Sequence, residues 1–140
     1  MKKILFIALL LTATLCACAP TEVENAVDQA NLECPLNFHV GQLESIELDN
    51  ENIVCSITCN QMLRNVILQF PDRAKMMILQ ALNMGGGQDF KSLIEVAKEY
   101  NCNIIIRVED EDESFDPVDL IVTPEELNDI KDGGLQLDLF

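Results

Sequence analysis

The chain has 140 residues, a formal charge of −15 and a hydrophobic content of 49%. That length suits one domain, and so much apolar material is incompatible with wholesale disorder. With 9 Lys and Arg against 24 Asp and Glu, the charge excludes a nucleic-acid binder and adhesion to anionic lipid by charge alone.

In chain order, Lys2 and Lys3 come first and precede Ile4 to Leu15, a mostly apolar run without a charge. The run is too short to span a bilayer and has the length of the apolar region of a secretory signal. It ends in Leu15-Cys16-Ala17-Cys18. These residues resemble the lipobox of bacterial lipoproteins, with Leu15 at −3, Ala17 at −1 and Cys18 as the residue that takes the lipid. Cys16 departs from that pattern, because −2 usually holds a small or aliphatic side chain. Two other cleavage readings fit less well: lipid on Cys16 would leave bulky Leu15 at −1, and cleavage after Ala19 would put Pro20 at +1.

The resemblance thus implies a signal peptide over residues 1–17 and an acylated, palmitate-type membrane anchor on Cys18. Residues 1–17 hold two lysines and no acid, so their removal leaves 123 residues and takes the charge from −15 to −17. Four thiols then remain: Cys34, Cys55, Cys59 and Cys102. Acyl chains anchor without any basic patch, since each buried methylene contributes about 0.8 kcal/mol.

Residues 18–33 read as the lipidated cysteine followed by a tether. The tether carries Glu22, Glu24, Asp28 and Glu33, with Val23, Val27 and Leu32 as its larger apolar residues. A flexible chain of that length would hold a domain about 20 Å from the bilayer. The alternative is a short helix around Thr21 to Ala30, with Val23 and Val27 four apart on one face.

A single domain is expected over residues 34–140. Leu43 to Leu48 reads as a strand, Asp49-Asn50-Glu51-Asn52 as a turn, and Ile53 to Cys59 as a second strand. Ile53, Cys55, Ile57 and Cys59 alternate with Val54, Ser56 and Thr58, the period of a half-buried strand. The period then becomes helical. Leu63, Val66, Ile67 and Phe70 form one stripe, Pro71 interrupts, and Ala74, Met77, Ile78, Ala81 and Leu82 form the next. Gly85-Gly86-Gly87 ends that helix, and Asp89 is the expected cap of a third, buried through Phe90, Leu93, Ile94, Ala97 and Tyr100.

Cys102, Ile104, Ile106 and Val108 alternate along a third strand, and Val118, Leu120 and Val122 along a fourth. Thr123-Pro124-Glu125-Glu126 reads as a capping box opening a short helix, and Leu135, Leu137 and Leu139 as a short final strand. The order β-β-α-α-α-β-β-α groups its elements, which points to an α+β fold. An antiparallel sheet of about four strands with helices on one face is expected.

The signal with its lipobox, the strand 52–59, the helical middle and the closing Val122-Thr123-Pro124-Glu125-Glu126-Leu127 together resemble the small lipoproteins of Bacteroidota. That resemblance implies a lipid-anchored protein of the bacterial cell envelope, at the outer membrane, on either its periplasmic or its surface face. Acids soon after the lipidated cysteine often accompany outer-membrane sorting in such proteins, and Glu22 and Glu24 partly fit. The resemblance supplies no catalytic residue.

Disulfides are the default for cysteines in an exported protein. Cys55 and Cys59 lie four apart on one strand face, about 13 Å, beyond disulfide reach. Two pairings stay open: Cys34–Cys55 with Cys59–Cys102, or Cys34–Cys59 with Cys55–Cys102. Four reduced, buried thiols are the other outcome. Zinc is disfavoured, because Cys55-x3-Cys59 sits on a strand where tetrahedral ligation needs a turn.

The acids of 109–119 fall between two strands, and Asp110, Asp112, Ser114 and Asp116 partly mimic the alternate ligands of a calcium loop. Phe115 stands in place of the glycine such a loop needs, so a solvated hairpin is favoured over a calcium site. His39 is the single histidine, and no serine stands in a nucleophile context. Phe90 replaces the second glycine that would make 85–92 a phosphate loop. The expectation is therefore a non-enzymatic binding or scaffolding domain without a cofactor, whose partner is an envelope protein or ligand and not nucleic acid. Calcium or small-ligand binding at 109–119 is the alternative.

Overall fold

The computed structural model describes residues 20–129. The signal segment, Cys18 and the expected strand 135–139 lie outside the described residues. Ten elements follow one another: α1 (Thr21–Asn31), β1 (Leu36–Phe38), β2 (Gly41–Asp49), β3 (Asn52–Cys59), α2 (Gln61–Gln69), α3 (Pro71–Gly85), α4 (Gly87–Glu99), β4 (Ile104–Asp110), β5 (Val118–Val122) and α5 (Pro124–Leu127).

The class is α+β, but the sheet has five strands and is mixed. Its order is β1-β2-β3-β4-β5. The pairs β1–β2, β2–β3 and β4–β5 are antiparallel, whereas β3 and β4 run parallel, Ile53 opposite Ile104 and Cys59 opposite Asp110. This corrects the expectation of an antiparallel sheet. Each hairpin is antiparallel within itself, but α2, α3 and α4 form the long crossover that joins the two hairpins, and such a crossover permits parallel pairing. The extra strand, β1, has three residues, too few to display alternation.

The segment expected as a tether is helix α1. Val23, Ala26, Val27 and Ala30 are buried, spaced i, i+3, i+4, i+7. Alanines complete a stripe that the larger apolar residues alone leave thin. α1 packs on β2 and α4, and the Asn31 side chain accepts a hydrogen bond from the Ile46 amide at 2.9 Å. The folded unit therefore begins before residue 34.

The β2–β3 turn places Asn50 in the left-handed region, φ 57°. Gly41 is required where β2 meets β3, because a Cβ there would stand 2.3 Å from the Thr58 carbonyl oxygen. Of the three glycines, Gly86 alone separates α3 from α4; it is also the N-cap of α4, and Asp89 falls in the first turn rather than at the cap. There its charge still favours the positive end of the helix. The capping box at Thr123 and Glu126 forms as expected.

α3 touches both β1 and β5 and so lies across the strands. Its 15 residues reach about 22 Å, against about 19 Å for four strand spacings. At the β5 edge, Lys75 donates to the Ile121 carbonyl at 3.1 Å and pairs with Glu126 at 2.7 Å. Leu43, Ile46, Ile53, Ile57, Ile104, Ile106 and Val122 join the buried side chains of the five helices in one core.

Candidate functional site

Two places gather polar and exposed groups: the end of β4, and the sheet face turned away from the helices. At the first, Asn60 follows β3 directly and caps α2, its side chain accepting from the Leu63 amide at 3.2 Å and donating to the His39 carbonyl at 3.0 Å. That cap fixes the first turn of α2 and directs Arg64 toward the end of β4. Arg64 Nε donates to Asp110 Oδ1 at 2.9 Å, and Nη2 to Asp112 Oδ2 at 2.7 Å. The other oxygen of Asp110 accepts from the Ser114 amide at 2.8 Å and from the Ser114 hydroxyl. The Asp110 side chain is fully buried.

Burial alone would raise the Asp110 pKa. The Ser114 hydrogen bonds and the Arg64 guanidinium outweigh it and hold the carboxyl down at about 2. Cys59 lies beside it, its Sγ 3.9 Å from Asp110 Oδ1. Burial first, then the Asp110 charge, pushes that thiol up to about 11. A thiol so raised is a poor nucleophile.

Three of the four residues weighed as calcium ligands thus meet other partners. Asp110, Asp112 and Ser114 are brought together, but around Arg64. Among the described residues no three His, Cys, Asp or Glu side chains are grouped to hold a metal ion. Asp116 instead lines a pocket of about 530 Å³, with Thr58, Glu109, Glu111, Glu113 and Pro117. Arg64 was not singled out in the sequence, where α2 read only as an apolar stripe. With 9 Lys and Arg in the chain, each cation was the available signal.

All four described cysteines are free thiols. Cys102 lies two residues before Ile104, at the opposite end of the parallel pair from Cys59. It is about 26 Å along the strands from Cys59 and about 13 Å from Cys55. Cys34 precedes β1, which β2 separates from β3. Each pairing left open by the sequence needs Cys102, which stands apart from Cys55 and Cys59, whereas Cys34 and Cys55 are neighbours as free thiols. Burial, followed by the neighbouring Cys34, pushes the Cys55 thiol up to about 12.

The second place is the outer sheet face. Residues alternating with the core set form three rows across the strands. Glu47, Val54, Ile105 and Ile121 make the first; Ser45, Ser56, Arg107 and Asp119 the second; Gln42, Thr58 and Glu109 the third. Ile121 is 50% exposed, while Val54 is 4% exposed yet stands outside the core cluster. Arg107 and Asp119 form a bidentate pair at 2.9 and 3.1 Å. That hydrogen bonding raises the Arg107 pKa, with Asp49 and Glu47 adding to it.

No family model and no curated protein matches the chain. Solved structures with similar folds exist. A Pseudomonas aeruginosa protein superposes with a TM-score of 0.53 at 6% identity, over 76% of this chain and 90% of the other. EpsS, the pilotin of the Vibrio vulnificus type 2 secretion system, gives 0.50 at 8% identity, over 76% and 92%. AspS, the type II secretion pilotin of Vibrio cholerae, gives 0.48 at 14% identity, over 76% and 95%. At these identities the first two likenesses are ones of fold.

Proposed function

We propose that the chain is a lipoprotein of the bacterial outer membrane, anchored by acyl chains on Cys18, whose α+β domain docks onto another envelope protein and carries out no reaction. The observation that carries this reading is the one-sided sheet. The described helices cover one face and leave the other open, in a fold like that of EpsS, a component of a secretion assembly. The Leu15-Cys16-Ala17-Cys18 segment supports the anchor. The buried polar groups at the end of β4 support a structural role, since Asp110 is committed to Arg64 and Ser114, and the Cys59 thiol is held protonated.

Fatty-acid labelling in cells tests the anchor. A Cys18→Ala chain should lose the label and leave the membrane fraction; unchanged labelling would sink the assignment. Chemical cross-linking in cells tests the docking. A discrete adduct with one envelope protein is expected, and an uncross-linked monomer would count against the role.

A further inference from the structure

We infer that the open sheet face, together with the acidic pocket at its end, receives a basic amphipathic segment of a partner protein. This deepens the docking role proposed above and rests on it. Val54, Ile105 and Ile121 stand side by side across β3, β4 and β5; Val54 is buried, and half-buried Ile105 with exposed Ile121 form the apolar surface where an anchor side chain can lie. Two rows further along, Thr58 and Glu109 form one wall of the pocket. Four residues of strand separate the two features, about 13 Å.

Charge decides what fits. Asp110 and Asp112 share the single charge of Arg64, and Asp119 is paired with Arg107. Glu109, Glu111, Glu113 and Asp116 line the pocket with no ion-pair partner among the described residues. Ser56 and the mutually paired Arg107 and Asp119 lie between the apolar row and the acids, so that stretch adds no net charge. The complementary segment therefore carries an apolar anchor and Lys or Arg about 13 Å away, four positions on in a strand or about nine in a helix. Anionic lipid and nucleic acid are repelled by the same carboxylates. A two-fold pairing of this face with itself would set acid against acid.

The test uses the full chain in detergent and an 18-residue probe peptide with a leucine cluster nine positions from a lysine cluster. Its control peptide has glutamate for each lysine. Fluorescence anisotropy should show binding of the lysine peptide alone, weakening as salt screens the charges. Glu109→Lys with Glu113→Lys, and separately Ile121→Asp, should each weaken it about tenfold. Leu68→Ser, on the helical side, should leave it unchanged. Unfolding midpoints would confirm that each variant is folded. Binding of both peptides alike, no binding, or loss only in Leu68→Ser overturns the inference. In cells, a photo-cross-linking residue at position 121 should capture the partner. Capture from position 68 alone would overturn this surface while the docking role stands; capture from neither would overturn both.

Discussion

The carboxyl of Asp110 is buried and charged at once, and its surroundings fix the pH at which that arrangement fails. Its pKa is depressed in the folded chain, from 3.8 to about 2. The stabilisation is therefore complete above the unfolded value near 4 and disappears as the pH falls through 2. Thermal unfolding followed between pH 5 and pH 2 should show it: the midpoint advantage of the unmodified chain over Asp110→Asn should be constant down to about pH 4 and vanish toward pH 2. Arg64→Met should be more damaging than Ser114→Ala, since it leaves a buried carboxylate without its counter-charge. The acids of 109–119 were visible in the sequence as a cluster. Their division into a pair held by Arg64 and an open group was not, because it depends on Arg64, 46 positions away from Asp110 and brought there by the parallel pairing of β3 with β4.

At the scale of elements, α1 separates two physical pictures. A solvated tether would tolerate a charge at Val23 to within about 0.5 kcal/mol. A helix with Val23 wholly buried should lose more than about 2 kcal/mol on Val23→Asp, measured by urea unfolding. The Thr123 cap makes a smaller claim: Thr123→Ala should cost about 1 kcal/mol. Strands β2 to β5 and helices α2 to α5 were legible because each repeats its period over enough residues or carries explicit caps. The pairing between β3 and β4 was not, since strand direction follows from how three helices cross the sheet, and periodicity within a strand is blind to that. α1 was half legible. Its stripe depends on Ala26 and Ala30, whose small side chains weigh little in composition but pack closely against β2 and α4.

For the whole molecule, α1 changes the geometry of the proposed anchor. Cys18 lies three residues before Thr21, the first residue of α1. Three residues reach at most about 11 Å, where a tether through residue 33 would hold the domain about 20 Å away. A lipidated chain should therefore ride against the membrane surface, within reach of its electrostatic field, whose Debye length is about 8 Å at physiological salt. With residues 1–17 removed as proposed, a charge of −17 would make that contact repulsive at an anionic surface. A fluorophore on Asp28→Cys, after removal of Cys34, Cys55, Cys59 and Cys102 by conservative replacement, should transfer energy efficiently to acceptors on vesicle headgroups. Transfer should rise with added salt in anionic vesicles and stay constant in zwitterionic ones. Inserting ten Gly-Ser residues before Thr21 should lower transfer in both and remove the salt dependence. Equal transfer with and without the insertion would mean that the domain hangs from a flexible chain after all, and that α1 does not set its distance from the membrane.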